Sequence, residues 1–317
     1  MGRSECEGNP GRLVRGALLA VIGLLVACAT PAEPGVSWAA RTAEAELARA
    51  HDAEAQGDRQ QALELGRRAA QHAREAAALG TVGQALLLVG RVDSDLAPCL
   101  EALEIFEYDE NLPGRVEAHG VCAQVLLGLG RPDDALAHAE RGIALLDEAG
   151  LDRAERARRS APLQHAAAAS LRALGRHPEA PAHERQAELA LSLLDDRQLP
   201  ELRIAVQLGL GADERVRGWP TRSIERYGRA LDLAQQRGDR ASELEALTGL
   251  VMALTDLRRF ADAVSYCERA LELARETGDA DSVQDLGRRG LQLLLELGGE
   301  TRPAQRRSFE EALLARR

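Results

Sequence analysis

Seven histidines, five cysteines and 50 carboxylates are the side chains best able to do chemistry in this 317-residue chain. Their spacing argues against the common reactions. The histidines are scattered and form no zinc-type ligand set with the cysteines, and no HExxH stretch occurs. The chain contains no lysine, so all 40 basic residues are arginine and a GxxxxGK[ST] phosphate loop cannot exist. The GxG patterns at Gly128/Gly130 and Gly209/Gly211 follow no strand-like run, so a dinucleotide fingerprint lacks its context. They read as helix packing and helix ends. The expectation is a protein with no catalytic residue, no metal, no cofactor and no small-molecule substrate. Cys99, Cys122 and Cys267 fall at helical positions that bury small side chains and read as core residues. In an oxidising compartment Cys99 and Cys122 have the option of a disulfide. The net charge is -10, and the leader carries three arginines against two glutamates, so the acidic excess lies in the body. Such a surface lacks the basic footprint of nucleic-acid binding. The one basic cluster, Glu155–Ser160, reads as a solvated helix or turn.

Cys28 is a separate case. It closes an apolar run, Gly16–Ala27, that follows Arg12 and Arg15. As a helix this run would be about 18 Å long, short of the roughly 30 Å of a bilayer core, so it does not read as a span. A positive start, a short apolar middle and small residues at the end are the marks of an export signal. The stretch Leu25-Val26-Ala27-Cys28 resembles the lipobox of bacterial lipoproteins. The resemblance implies cleavage before Cys28, lipid on its sulfur and its new N-terminus, and a protein held at the cell envelope facing the periplasm. Ala29, where an aspartate would favour the inner membrane, implies the outer one. A plain secretory signal with a chance cysteine is the alternative, and Glu5 and Glu7 depart from the lipoprotein pattern. Residues 1–27 are thus expected to be the signal, and 28–38 a lipidated cysteine with a tether broken by Pro31 and Pro34.

From Ala39 onward, Leu and Ala recur at three- and four-residue intervals, which is the period of a helix buried on one face. Aromatics are only 3% of the chain, so the core is built from Leu, Ala and Val. The pattern repeats. Helix end, tight turn and helix start recur around Gly57, Gly90, Gly130, Gly175, Gly218 and Arg258, with Gly298 as a seventh turn. These turns lie roughly 40 residues apart, the period of a stacked helical array. Small residues recur at three places per repeat. Ala50, Gly83, Ala123, Ala168 and Gly211 lie in the first helix, with Val251 as the exception. Ala62, Ala135, Ala180, Ser223 and Ala263 lie early in the second, with Asp95 as the exception. Ala69, Ala102, Gly142, Ala187, Ala230 and Ala270 follow seven residues later. Small side chains there let paired helices approach closely.

This resembles the tetratricopeptide repeat (TPR). The resemblance implies an all-α, right-handed α-α superhelical solenoid of six to seven helical hairpins over 39–299, closed by a capping helix over 300–317. It also implies that the first helix of each hairpin lines a concave face. By register, that face would carry His51, Glu54, Gln84, Gln124, His165, Arg172 and Arg215 as partner-binding residues. Gln84 and Gln124 would hold equivalent places and could hydrogen-bond an extended peptide. The expected function is a lipid-anchored, non-enzymatic scaffold or assembly factor that binds a protein or peptide. The alternative is a cytoplasmic regulatory solenoid whose N-terminus has been misread.

Overall fold

The computed structural model describes residues 38–298 and 303–314. Cys28, the signal, all of the tether before Trp38 and the start of the expected capping segment lie outside the described residues. Among the described residues, fourteen helices follow one another and pair as seven hairpins. The first three pairs are α1 (Trp38–Ala55) with α2 (Arg59–Glu75), α3 (Leu79–Asp93) with α4 (Leu96–Tyr108), and α5 (Leu112–Gly128) with α6 (Pro132–Leu145). Next come α7 (Arg153–Ala173) with α8 (Ala180–Leu191), and α9 (Pro200–Val216) with α10 (Pro220–Arg237). The last are α11 (Arg240–Asp256) with α12 (Phe260–Thr277), and α13 (Ala280–Glu296) with α14 (Pro303–Leu314). The C-terminal helix is therefore the second helix of a seventh hairpin, and it buries Phe309 and Ala312 against α13.

Local chemistry sets the helix boundaries. Asp58, Asn111, Asp152, Asp239 and Asp279 each accept a hydrogen bond from the backbone N–H three residues on, and so start a helix. Pro132, Pro200 and Pro220 occupy the first helical position, where a missing N–H costs nothing. At the other end, Gly130 takes the left-handed conformation while Arg131 N–H donates to Leu126 O at 2.9 Å, closing the last turn.

The turn residues are left-handed at Gly57, Gly130, Gly175, Gly218, Arg258 and Gly298, as the repeat register requires. The second hairpin differs. Gly90 is not a turn residue but a buried part of α3, and the left-handed position is Ser94 (φ 57°). A side chain at Gly90 would collide with Cys99 Sγ, so the glycine serves close packing of α3 on α4. The register of this hairpin is corrected by four residues. Asp95 is an exposed cap for α4, donated to by Ala97 N–H, and the buried small residue is Cys99. Phe106 stands where other hairpins place Ala or Gly, and it fits because Gly83 and Gly114 leave room for its ring. Tyr227 lies in the same way between Gly211 and Gly249. The remaining expected small positions are buried, and Ser223 also ties α10 to Gly211 O through its hydroxyl at 2.8 Å.

From α1 to α11 the first helices of successive hairpins touch one another, while successive second helices make no comparable contact. The first helices are thus the inner, concave layer of a right-handed superhelix, and the second helices form the wider outer layer.

Candidate functional site

The inner layer carries two open grooves with a buried ionic network between them. The larger groove, about 410 Å³, lies over the last three hairpins. Val251 and Met252 of α11, Phe260 of α12 and Leu293 of α13 supply its apolar surface. Arg215 of α9, Arg289 of α13 and Arg258 at the turn edge it with positive charge, opposed by Asp256 and Glu296. Arg215 Nη1 is 3.4 Å from Asp256, but its Nε is buried without a protein partner, so part of this guanidinium is unspent. The smaller groove, about 290 Å³, lies between α5 and α7. Val116, Val121 and Pro162 give it an apolar floor, and Gln124, Glu117 and Arg159 give it polar edges.

Between the grooves, Glu184 of α8 is fully buried. One of its oxygens lies 2.7 Å from His165 Nδ1 and the other accepts from Arg172 Nη1 at 2.9 Å. The same Arg172 nitrogen reaches Asp213 of α9 at 3.2 Å. Gly209 permits this approach, since a Cβ there would come within 2.8 Å of the Glu184 carboxyl carbon. Burial raises Asp213 to about 6, against the opposing pull of Arg172. Burial also raises Glu245 on α11.

The residues expected on the concave face therefore divide. Gln84 and Gln124 are exposed, but the corrected turn at Ser94 makes them non-equivalent: Gln84 lies ten residues before its turn and Gln124 six before Gly130. Of the two, Gln124 lines the smaller groove. His51 is exposed and contacts Glu54, 3.7 Å away. Glu54 is engaged in a two-point pair with Arg91, at 2.8 and 2.7 Å. Burial opposes its ionisation, yet hydrogen bonds from His51 and Arg91 hold it down at about 2. His165 and Arg172 are half-buried and engaged by Glu184 and Asp213, so they position hairpins rather than meet solvent freely. Arg215 lines the larger groove. In the basic cluster 155–160, Arg156 pairs with Asp147, Arg158 with Glu155, and Arg159 with Glu117. Register reasoning missed Met252, Phe260 and Arg289. Met252 follows the register-breaking Val251, and Arg289 belongs to a hairpin that the repeat left open. Glu184 was missed as well; its place on one helical face with the small residues Ala180 and Ala187 is the signal that marks it as buried.

Comparison with known proteins gives no matching family model and no matching curated protein. Among solved structures, a Rap protein complexed with competence and sporulation factor superposes with a TM-score of 0.55 at 15% identity, over 92% of this chain and 89% of that one. The signal transduction ATPase with numerous domains from Pyrococcus horikoshii, which has a tetratricopeptide repeat sensor, also gives 0.55, at 12% identity over 80% of this chain. The match spans 41% of the ATPase. The fold is a TPR-type solenoid. At these identities the likeness is one of architecture, so the solenoid's function must be argued from its own grooves. No helix among the described residues is long and apolar enough to cross a membrane.

Proposed function

We propose that this solenoid is a non-enzymatic interaction module that binds an extended peptide or a helix of a partner protein along its inner face. The observation that carries the reading is the larger groove: four apolar side chains flanked by arginines and carboxylates from three successive hairpins. An apolar floor with a charged edge suits a partner segment that offers apolar anchors and polar flanks. A solenoid of similar fold, the Rap protein, has been solved with a bound factor, which supports the same use of this architecture. The module acts as a scaffold or assembly factor held by lipid on Cys28 at the bacterial envelope, facing the periplasm, with the outer membrane as its site.

Two experiments test the two halves of this reading. A photo-crosslinking residue in place of Met252 should capture a partner from envelope extracts, and Arg289→Glu should weaken that capture tenfold or more. Capture that is equal from a position on the outer layer, such as Glu272, would refute the groove. Radiolabelled palmitate should mark the wild-type chain and not Cys28→Ala. Equal labelling of both, or of neither, would sink the anchoring and leave the plain secretory signal or the cytoplasmic alternative.

A further inference from the structure

Cys99 and Cys122 are both fully buried and belong to one apolar cluster with Phe106, Val121 and Val125. They come from different hairpins: Cys99 lies in the first turns of α4 and Cys122 in the middle of α5. Each acts on the other's acidity: Cys122 lowers the Cys99 thiol, and Cys99 together with burial raises the Cys122 thiol. Cys99 Sγ also lies 3.6 Å from Asp95 O, and the bare Cα of Gly90 makes room for it. The seam they share is less extensively packed than the hairpin interiors on either side of it. Cys267 provides the contrast. It is equally buried, but its Sγ faces Leu286 O at 3.4 Å and no second sulfur.

We propose that Cys99 and Cys122 form a disulfide that ties the second hairpin to the third whenever a disulfide-class oxidant is present. The chemistry balances without a metal. The Cys99 thiolate attacks a low-molecular-weight disulfide, forms a mixed disulfide and releases one thiolate. Cys122 gives up its proton to water and its sulfur attacks Cys99 Sγ, releasing the second thiolate. The two cysteines lose two protons and two electrons, and the oxidant leaves as two thiols. The influence of Cys122 lowers the Cys99 thiol, and Cys99 lies at a helix end, which together favour it as the attacking sulfur. Helix ends open locally far more often than a whole fold does, so the first turn of α4 is the route of access. The bond would close the chain over residues 99–122 and tie α4 of the second hairpin to α5 of the third. It does not depend on the partner or on lipidation.

The test uses the full chain. It is held in oxidised glutathione, either folded or during refolding from urea, then unfolded, alkylated and digested with trypsin without reductant. Cleavage at Arg115 separates the two cysteines. The expected product is a linked pair of peptides that meet at Arg115, with Cys267 alkylated. The oxidised wild type should show a higher urea midpoint than the reduced one, and Cys122→Ala should abolish the difference. The proposal is overturned if both arms leave Cys99 and Cys122 alkylated, or yield only their glutathione adducts. A linked pair in either arm supports it.

Discussion

Arg172 is the cation on which the seam between the fourth and fifth hairpins depends. Its Nη1 serves Glu184, fully buried, and Asp213, 3% exposed. The helices at this seam, α8 and α9, pack less than any other successive pair, so ionic contacts carry more of it. Replacing Arg172 by Met keeps the stem and removes the charge. Two carboxylates are then left in a low-dielectric site, with His165 against Glu184 and only the more distant charge of Arg217 acting on Asp213. Losing one partner of a buried ion pair costs about 3–5 kcal/mol, and that is the expected loss at pH 7. The loss should shrink at pH 5, because Asp213 titrates near 6 even with Arg172 present and takes up a proton readily without it. The double variant Arg172→Met/Asp213→Asn should recover at least a third of the loss. Hydrogen exchange of the α7–α9 amides measures this locally, without requiring the array to unfold as one unit. A loss below about 1 kcal/mol at pH 7, or one unchanged at pH 5, would refute the assignment of Arg172 as the shared counter-ion.

Other outcomes follow from the same geometry. His119 and His138 lie with their Nδ1 atoms 3.1 Å apart, and burial followed by the charges of His138, Arg141 and Arg115 pushes His119 down to about 4. A depressed histidine pKa means that the unfolded chain takes the proton first. Acidification from pH 6.5 to 4 should therefore remove up to about 3 kcal/mol, and His119→Phe should flatten that part of the urea-midpoint profile. Asp213 has the opposite sign: its folded pKa is raised from 3.8 to about 6, so its cost appears as pH rises through that window and Asp213→Asn should remove it. Glu54 is held at about 2 against an ordinary 4.5, so its stabilisation should be full above pH 4.5 and lost as the pH falls toward 2, and Arg91→Met should move the acid limb of unfolding upward. Gly249→Ala places a methyl against the Tyr227 ring and should cost about 1–3 kcal/mol, with recovery in a Tyr227→Leu background; an unchanged melting temperature would contradict the socket.

The sequence determined the class of this protein through period alone. Leu and Ala spacing, acidic caps and glycine stops are local signals, and each acts through bonds within a few residues. The helices and most of the turns therefore follow from it. So does most of the small-residue packing, because close approach of paired helices admits nothing larger. Register failed at Gly90, because a glycine that stops a helix and one that admits a neighbour look alike in sequence. Only the packed position of Cys99 separates the two uses. The exposure of Arg172 and His165 was likewise beyond the sequence, since whether a charged side chain meets solvent depends on Glu184 and Asp213, which arrive from other helices. The larger groove is a product of tertiary structure for the same reason: Met252, Phe260 and Arg289 lie far apart along the chain, and only the stacking of three hairpins sets them around one hollow.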